Sequence, residues 1–298
     1  MNAGSFIRCT LMGLLLTAAA SAAAADDKPR VISIGGAVTE VVAALGAVDR
    51  LVAIDSTSRF PASLRGLPDI GYMRHLAAEP ILALEPTLIL AVADSGPASA
   101  LAQLKASGVP LVIVPDDPTV EGTLQKVDVV AAALGLQDEG VKLRARIEAE
   151  LAASTAAVEK ISERPSVLFL LSIGTGTPLV AGRETAANGI IQLAGGRNAI
   201  DGFTGYKPLS PEAAVEAAPE VLLLTTQGLE MIGGEAGLLA LPQVAVTPAA
   251  EQRRVVALEG QLLLGFGPRT GAAILELARY LHPDADLPAP VSSAGSPP

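Results

Sequence analysis

The densest chemistry in this chain lies in eight residues, Asp69-Ile70-Gly71-Tyr72-Met73-Arg74-His75-Leu76. A deprotonated tyrosine is a hard anionic oxygen donor, suited to ferric iron, and tyrosine is an axial ligand in some haem proteins. An unassisted phenol keeps its proton until about pH 10. Arg74, two residues after Tyr72, could stabilise a phenolate by charge or by a hydrogen bond. Gly71 frees the backbone to present Tyr72 openly. Spacing alone leaves a second reading open, in which Tyr72 is a half-buried loop aromatic and Arg74 a solvated charge. His75 reads as an ordinary loop or helix-start residue.

Other chemistries are poorly supplied. The chain has two histidines, His75 and His282, and His282 reads as a helix-end residue just before Pro283. There is no HExxH, no G-x-S-x-G and no Walker lysine pattern. Gly174-Thr175-Gly176 resembles a glycine turn but lacks the third glycine of a nucleotide loop. No enzymatic activity is expected. The single cysteine, Cys9, precedes an apolar segment rather than a cleavage point, so it does not read as a lipid attachment site. Without it there is neither a disulfide nor a thiolate metal site.

The opening 25 residues read as a secretory signal peptide. Arg8 is the basic start, Leu11 to Ala20 the apolar stretch, and Ser21 to Ala25 a small-residue cleavage region. The expected location is the periplasm. The formal net charge of −10 argues against nucleic acid as a partner.

Two stretches 133 positions apart must position these residues. Leu76, Glu79 and Pro86 recur as Leu209, Glu212 and Pro219, and an apolar run follows each proline. An offset of that size suggests two related lobes rather than a solenoid. Clefts between lobes are where small molecules bind. Alternation of apolar runs with helical stretches, punctuated by Gly and Pro, indicates α/β lobes with parallel sheets.

The spacing predicts a helix from a Thr39 cap to Leu45, a strand over 51–54, a helix over 77–84 and a strand over 87–92. It then predicts a helix over 97–107, a strand over 110–114 and a helix over 122–135. After Pro165 it predicts a strand over 167–171, a helix opened by Thr185, strands over 221–224 and 255–258, and a closing helix over 268–281. The expected division is a signal segment 1–25, an N-terminal lobe 26–137, a long connecting helix 138–164, a C-terminal lobe 165–282 and a disordered tail 283–298.

Over about residues 29–282 the chain resembles the periplasmic haem-binding proteins of bacterial ABC importers, within the cobalamin- and siderophore-binding superfamily. Val31-Ile-Ser-Ile-Gly-Gly-Ala-Val-Thr-Glu40, Gly182-Arg-Glu-Thr-Ala-Ala-Asn188, Leu193-Ala-Gly-Gly-Arg-Asn-Ala199, Gly205-Tyr-Lys-Pro-Leu-Ser-Pro-Glu212 and Gly265-Phe-Gly-Pro-Arg269 carry the superfamily likeness. Gly71-Tyr-Met-Arg-His-Leu-Ala-Ala-Glu79 carries the likeness to the haem branch.

The resemblance implies haem as transported ligand, Tyr72 as its iron ligand and Arg74 as the residue supporting that ligand. Some members add a histidine from the second lobe; here Leu171-Ser-Ile173-Gly174 holds none. The resemblance also implies that Glu79 and Glu212, one per lobe, dock onto a dimeric membrane permease. Each would otherwise be a first-turn glutamate stabilising its helix. Arg59, Arg183, Tyr206 and Lys207 are candidates for contact with haem or its propionates, and Arg269 reads as structural. A monomer is expected. The alternative ligand is a siderophore or a corrinoid, although 3 tyrosines, 5 phenylalanines and no tryptophan disfavour an aromatic-lined cleft.

Overall fold

A computed structural model describes residues 28–171 and 177–289. The signal segment, residues 172–176 and residues 290–298 lie outside the described residues, and with them the Ser172–Gly174 stretch and the Gly174-Thr175-Gly176 turn.

The first sheet forms from apolar runs too short and too β-branched to be helices. These are β1 (Val31–Ile34), β2 (Leu51–Ile54), β3 (Leu88–Val92) and β4 (Leu111–Val114). They lie in the order β2-β1-β3-β4, all parallel. The helices between and after them are α1 (Gly36–Ala44), α2 (Ala78–Leu82), α3 (Ala98–Ala106) and α4 (Val120–Leu134).

Helix α5 (Gln137–Glu159) follows and packs against α4. The sequence suggested helix as far as residue 164. It stops at Glu159, short of Arg164-Pro165, where the proline ring disfavours helical backbone on the residue before it.

The second sheet contains β5 (Ser166–Leu171), β6 (Leu179–Ala181), β7 (Arg197–Asn198), β8 (Tyr206–Pro208), β9 (Val221–Thr225) and β10 (Val255–Leu258). Its order is β10-β9-β5-β6-β8, with β7 also on β5. The pairs among β10, β9, β5 and β7 are parallel, while β5–β6 and β6–β8 are antiparallel. The antiparallel edge escaped the sequence reading because β6 and β8 are three residues each. Helices α6 (Ala186–Leu193), α7 (Pro211–Ala217), α8 (Thr226–Met231), α9 (Gly234–Leu239), α10 (Pro242–Ala245), α11 (Pro248–Glu251), α12 (Gly260–Leu264) and α13 (Thr270–Leu281) complete the chain. Helix α13 packs against α5.

Three apolar cores follow from two sheets covered on both faces. One lies beneath the outer face of the first sheet, around Ile32, Ile81, Ile89 and Leu104. Another does the same for the second sheet, around Leu168, Leu222 and Leu238. The third is continuous from one sheet to the other, running through Val38, Leu124, Ile147, Phe169, Phe266 and Ile274. Leu287 packs against this shared core.

Two glycine stretches let the halves approach closely. A Cβ on Gly36 would lie 2.7 Å from the Thr57 carbonyl oxygen and 2.8 Å from Gln261 Cγ. Gly267 sits against Ala37, where an added Cβ would lie 3.3 Å from the alanine methyl.

Thr39 is not the cap of α1. The helix starts at Gly36, because Gly35 at φ +104° turns the chain directly out of β1. Thr39 lies inside the helix, and its buried hydroxyl shares 2.7 Å hydrogen bonds with Ser33 and Ser58.

Candidate functional site

In open parallel sheets, ligands bind beyond the carboxyl ends of the strands. Those ends of the two sheets converge here. Gln261, just past β10, donates through Nε2 to the Gly36 carbonyl past β1 (2.9 Å) and to Glu40 Oε2 (3.1 Å). Its Oε1 accepts from the backbone N–H groups of Arg59 (2.7 Å) and Phe60 (3.0 Å), past β2. Below it, Arg269 grips Glu40 through Nε at 3.0 Å and Nη2 at 2.9 Å, and its own N–H donates at 3.1 Å. Its guanidinium lies 3.8 Å from the Phe60 ring centroid. Burial pushes the Glu40 carboxyl up, and the bonds to Arg269 and Gln261 pull the other way. Lys126 on α4 adds a buried tie, donating to Asp116 Oδ1 (2.7 Å) and to the Gly265 carbonyl (3.1 Å). These contacts form a fixed floor where the sheets meet.

The Tyr72 loop hangs at the carboxyl edge of the first sheet. Ile70 N–H donates to the Ile54 carbonyl and Ser56 N–H to the Gly71 carbonyl, each at 3.0 Å. Gly96 N–H donates to the Met73 carbonyl (2.9 Å), and Leu76 N–H returns to the Gly96 carbonyl (2.8 Å). The loop is therefore clamped between the ends of β2 and β3. Gly71 at φ +91° supplies the turn before Tyr72, a backbone conformation that a side chain would strain.

Tyr72 is 40% exposed. Arg74 Nη1 donates to its phenolic oxygen at 2.6 Å, and Arg74 Nη2 donates to Asp94 Oδ2 at 2.9 Å. Burial pulls the Arg74 guanidinium down, but its bonds to Asp94 and Tyr72 outweigh that and hold it above its ordinary value. A permanent cation thus touches the phenol oxygen. The His75 ring stacks on Tyr72, with centroids 5.8 Å apart and 28° between planes.

Tyr206 on β8 belongs to the other half. Burial pushes its phenol above the ordinary tyrosine value, while Arg74 pulls the other way and the charges of Asp94 and Tyr72 push upward. Tyr206 is 37% exposed on that strand.

The remaining candidates are spread more widely. Arg59 is exposed at the rim, with Nε 3.4 Å from the Ser56 carbonyl. Lys207 lies over the Phe203 ring, 4.7 Å from its centroid. Arg183 is exposed but already bonded to the Asp201 carbonyl. Glu79 and Glu212 are exposed in the first turns of α2 and α7. Hydrogen bonds from its own N–H and from Ser210 hold the Glu212 carboxyl below the usual carboxylate range. His282 ends α13 and is buried, which lowers its pKa. Among the described residues, no group of three or more His, Cys, Asp or Glu side chains could hold a metal ion. No described helix is long and apolar enough to cross a membrane.

Sequence reasoning missed Asp94 and Gln261. Asp94 lies two residues past the end of β3, so an acidic residue just beyond a parallel strand was the available signal. Gln261 carried none, since its role depends on residues more than 200 positions away.

Residues 31–262 match the periplasmic binding protein family. Among solved structures, the chain is 44% identical to the periplasmic heme-binding protein RhuT from Roseiflexus sp. RS-1, with a TM-score of 0.83, covering 86% of this chain and 98% of that one. It is 43% identical to the periplasmic heme-binding protein BhuT in complex with two hemes, with a TM-score of 0.80, covering 85% and 97%. A vitamin B12-binding protein of Yersinia pestis (strain Pestoides F) is 27% identical over 282 residues, covering 94% of this chain and 93% of that protein.

Proposed function

The chain belongs to the periplasmic binding protein family, and from that premise we propose that it binds haem between its lobes and delivers it to an ABC permease. The observation carrying this reading is the Arg74–Tyr72 hydrogen bond of 2.6 Å on an exposed, backbone-clamped loop. A phenolate is a strong ligand to ferric iron, and Arg74 already donates a hydrogen bond to the phenol oxygen. Tyr72 is the iron ligand in this reading, and Arg74 supports it. Tyr206 covers the ligand from the C-terminal lobe, while Arg59, Lys207 and Arg183 meet the propionates. Arg183 would have to give up its bond to the Asp201 carbonyl to do so.

The lobes are residues 26–137 and 165–282, joined through the helix that follows Leu136. The buried floor keeps them from swinging apart, so ligand capture requires little closure. The mature protein acts in the periplasm as a monomer, after cleavage near Ala25, and catalyses no reaction. Glu79 and Glu212 engage the permease dimer, one from each lobe.

Titration of the purified protein with hemin should produce a high-spin ferric tyrosinate spectrum. Tyr72→Ala should abolish that spectrum, and an unchanged spectrum would overturn the ligand assignment. The vitamin B12-binding relative supports a corrinoid as the second reading. Cobalamin competing on equal terms with hemin would favour it.

A further inference from the structure

The loop after β3 carries an acid that the iron-ligand reading does not use. Asp94 Oδ2 accepts from Arg74 Nη2 at 2.9 Å, while Nη1 of the same guanidinium donates to Tyr72 at 2.6 Å. Its backbone is held independently of these side chains. Ala93 N–H donates to the Val114 carbonyl, Gly96 N–H to the Met73 carbonyl and Leu76 N–H to the Gly96 carbonyl. The backbone that carries this carboxylate is therefore held beside the Tyr72 loop. The Arg74 side chain has no other partner among the described residues that would select its rotamer.

Folding stability does not explain the pair. Its side chains are 48% and 60% exposed, and exposed pairs contribute about 0–1 kcal/mol. A planar guanidinium that uses one nitrogen on a carboxylate has its other nitrogen aimed by that bond. We propose that Asp94 is a positioning residue for ligand binding. It orients Arg74 so that the guanidinium meets the Tyr72 oxygen, and it partly offsets the positive charge that Arg74 presents there.

This inference rests on the haem reading for its consequence, but not for its geometry. Orientation favours the phenolate, and the negative charge of Asp94 opposes it. Two substitutions separate these effects. Asp94→Ala removes the aiming acceptor. Asp94→Asn keeps an oxygen acceptor and removes the charge.

The measurement is the crystal structure of each ligand-free variant, together with hemin affinity by titration. In Asp94→Ala, Arg74 should leave Tyr72, and hemin affinity should fall by about tenfold. In Asp94→Asn the Arg74–Tyr72 bond should persist, with hemin affinity close to that of the wild type. A ligand-free Asp94→Ala structure with the Arg74–Tyr72 bond intact would overturn the proposal, as would unchanged hemin affinity in that variant. Absence of the tyrosinate band in the wild type would count against the haem reading alone, because the ligand-free structures still decide whether Asp94 aims Arg74.

Discussion

Two arginine–carboxylate pairs in this molecule share a 2.9 Å contact and differ in burial. Arg269 and Glu40 join the lobes at the floor, with side chains 12% and 5% exposed. Arg74 and Asp94 sit within one lobe at the opening, with side chains 48% and 60% exposed. Burial decides what each pair can do. At the floor neither charge can be released without stranding the other in a medium that solvates it poorly. At the opening water shares the solvation, so the pair contributes little to folding and Arg74 remains available to a ligand atom. A binding protein needs both, a joint that stays put and a cation aimed where its cargo binds.

The contrast breaks most readily at the floor. Glu40→Ala strands Arg269 and should cost about 3–5 kcal/mol in urea unfolding, whereas Asp94→Ala should stay within about 1 kcal/mol of the wild type. Equal losses in the two variants would erase the distinction. Gln261→Ala leaves the backbone N–H groups of Arg59 and Phe60 without their acceptor, and should cost about 1–3 kcal/mol by the same measurement.

A smaller effect comes from His282, which burial holds below its ordinary pKa. The unfolded chain then binds more protons than the folded one below about pH 6.5, so stability present above that pH is lost as the pH falls. The difference between urea midpoints at pH 7.5 and 5.5 should shrink in His282→Gln. The smallest change is expected at the lobes' outer ends. Reversing charge at both Glu79 and Glu212 should leave hemin affinity within about 0.5 kcal/mol of the wild type while uptake in cells falls. Lost affinity would tie these residues to the cleft instead of the permease.

Much of the scaffold was legible because it depends on neighbours in sequence. Apolar runs gave β2, β3, β5, β9 and β10, since a short apolar segment between turn residues has few other ways to bury itself. Thr185 does cap α6, accepting from Asn188 N–H at 3.1 Å. Gly135 does end α4, at φ +69°. Thr39 misled because its side chain has the chemistry of a cap, while Gly35 had already made the turn. Arg183, read as a candidate propionate contact, donates to the Asp201 carbonyl in the ligand-free chain.

Composition, periodicity and the 133-residue repeat determined by themselves that there are two α/β halves and that Tyr72 and Arg74 share one loop. Both are properties of residues close together along the chain. Only the tertiary structure decided which arginine would be buried and which left at the opening. Arg74 and Arg269 each follow a glycine-containing turn. Glu40 lies 229 residues from Arg269, and burial is set by what the folded chain brings alongside.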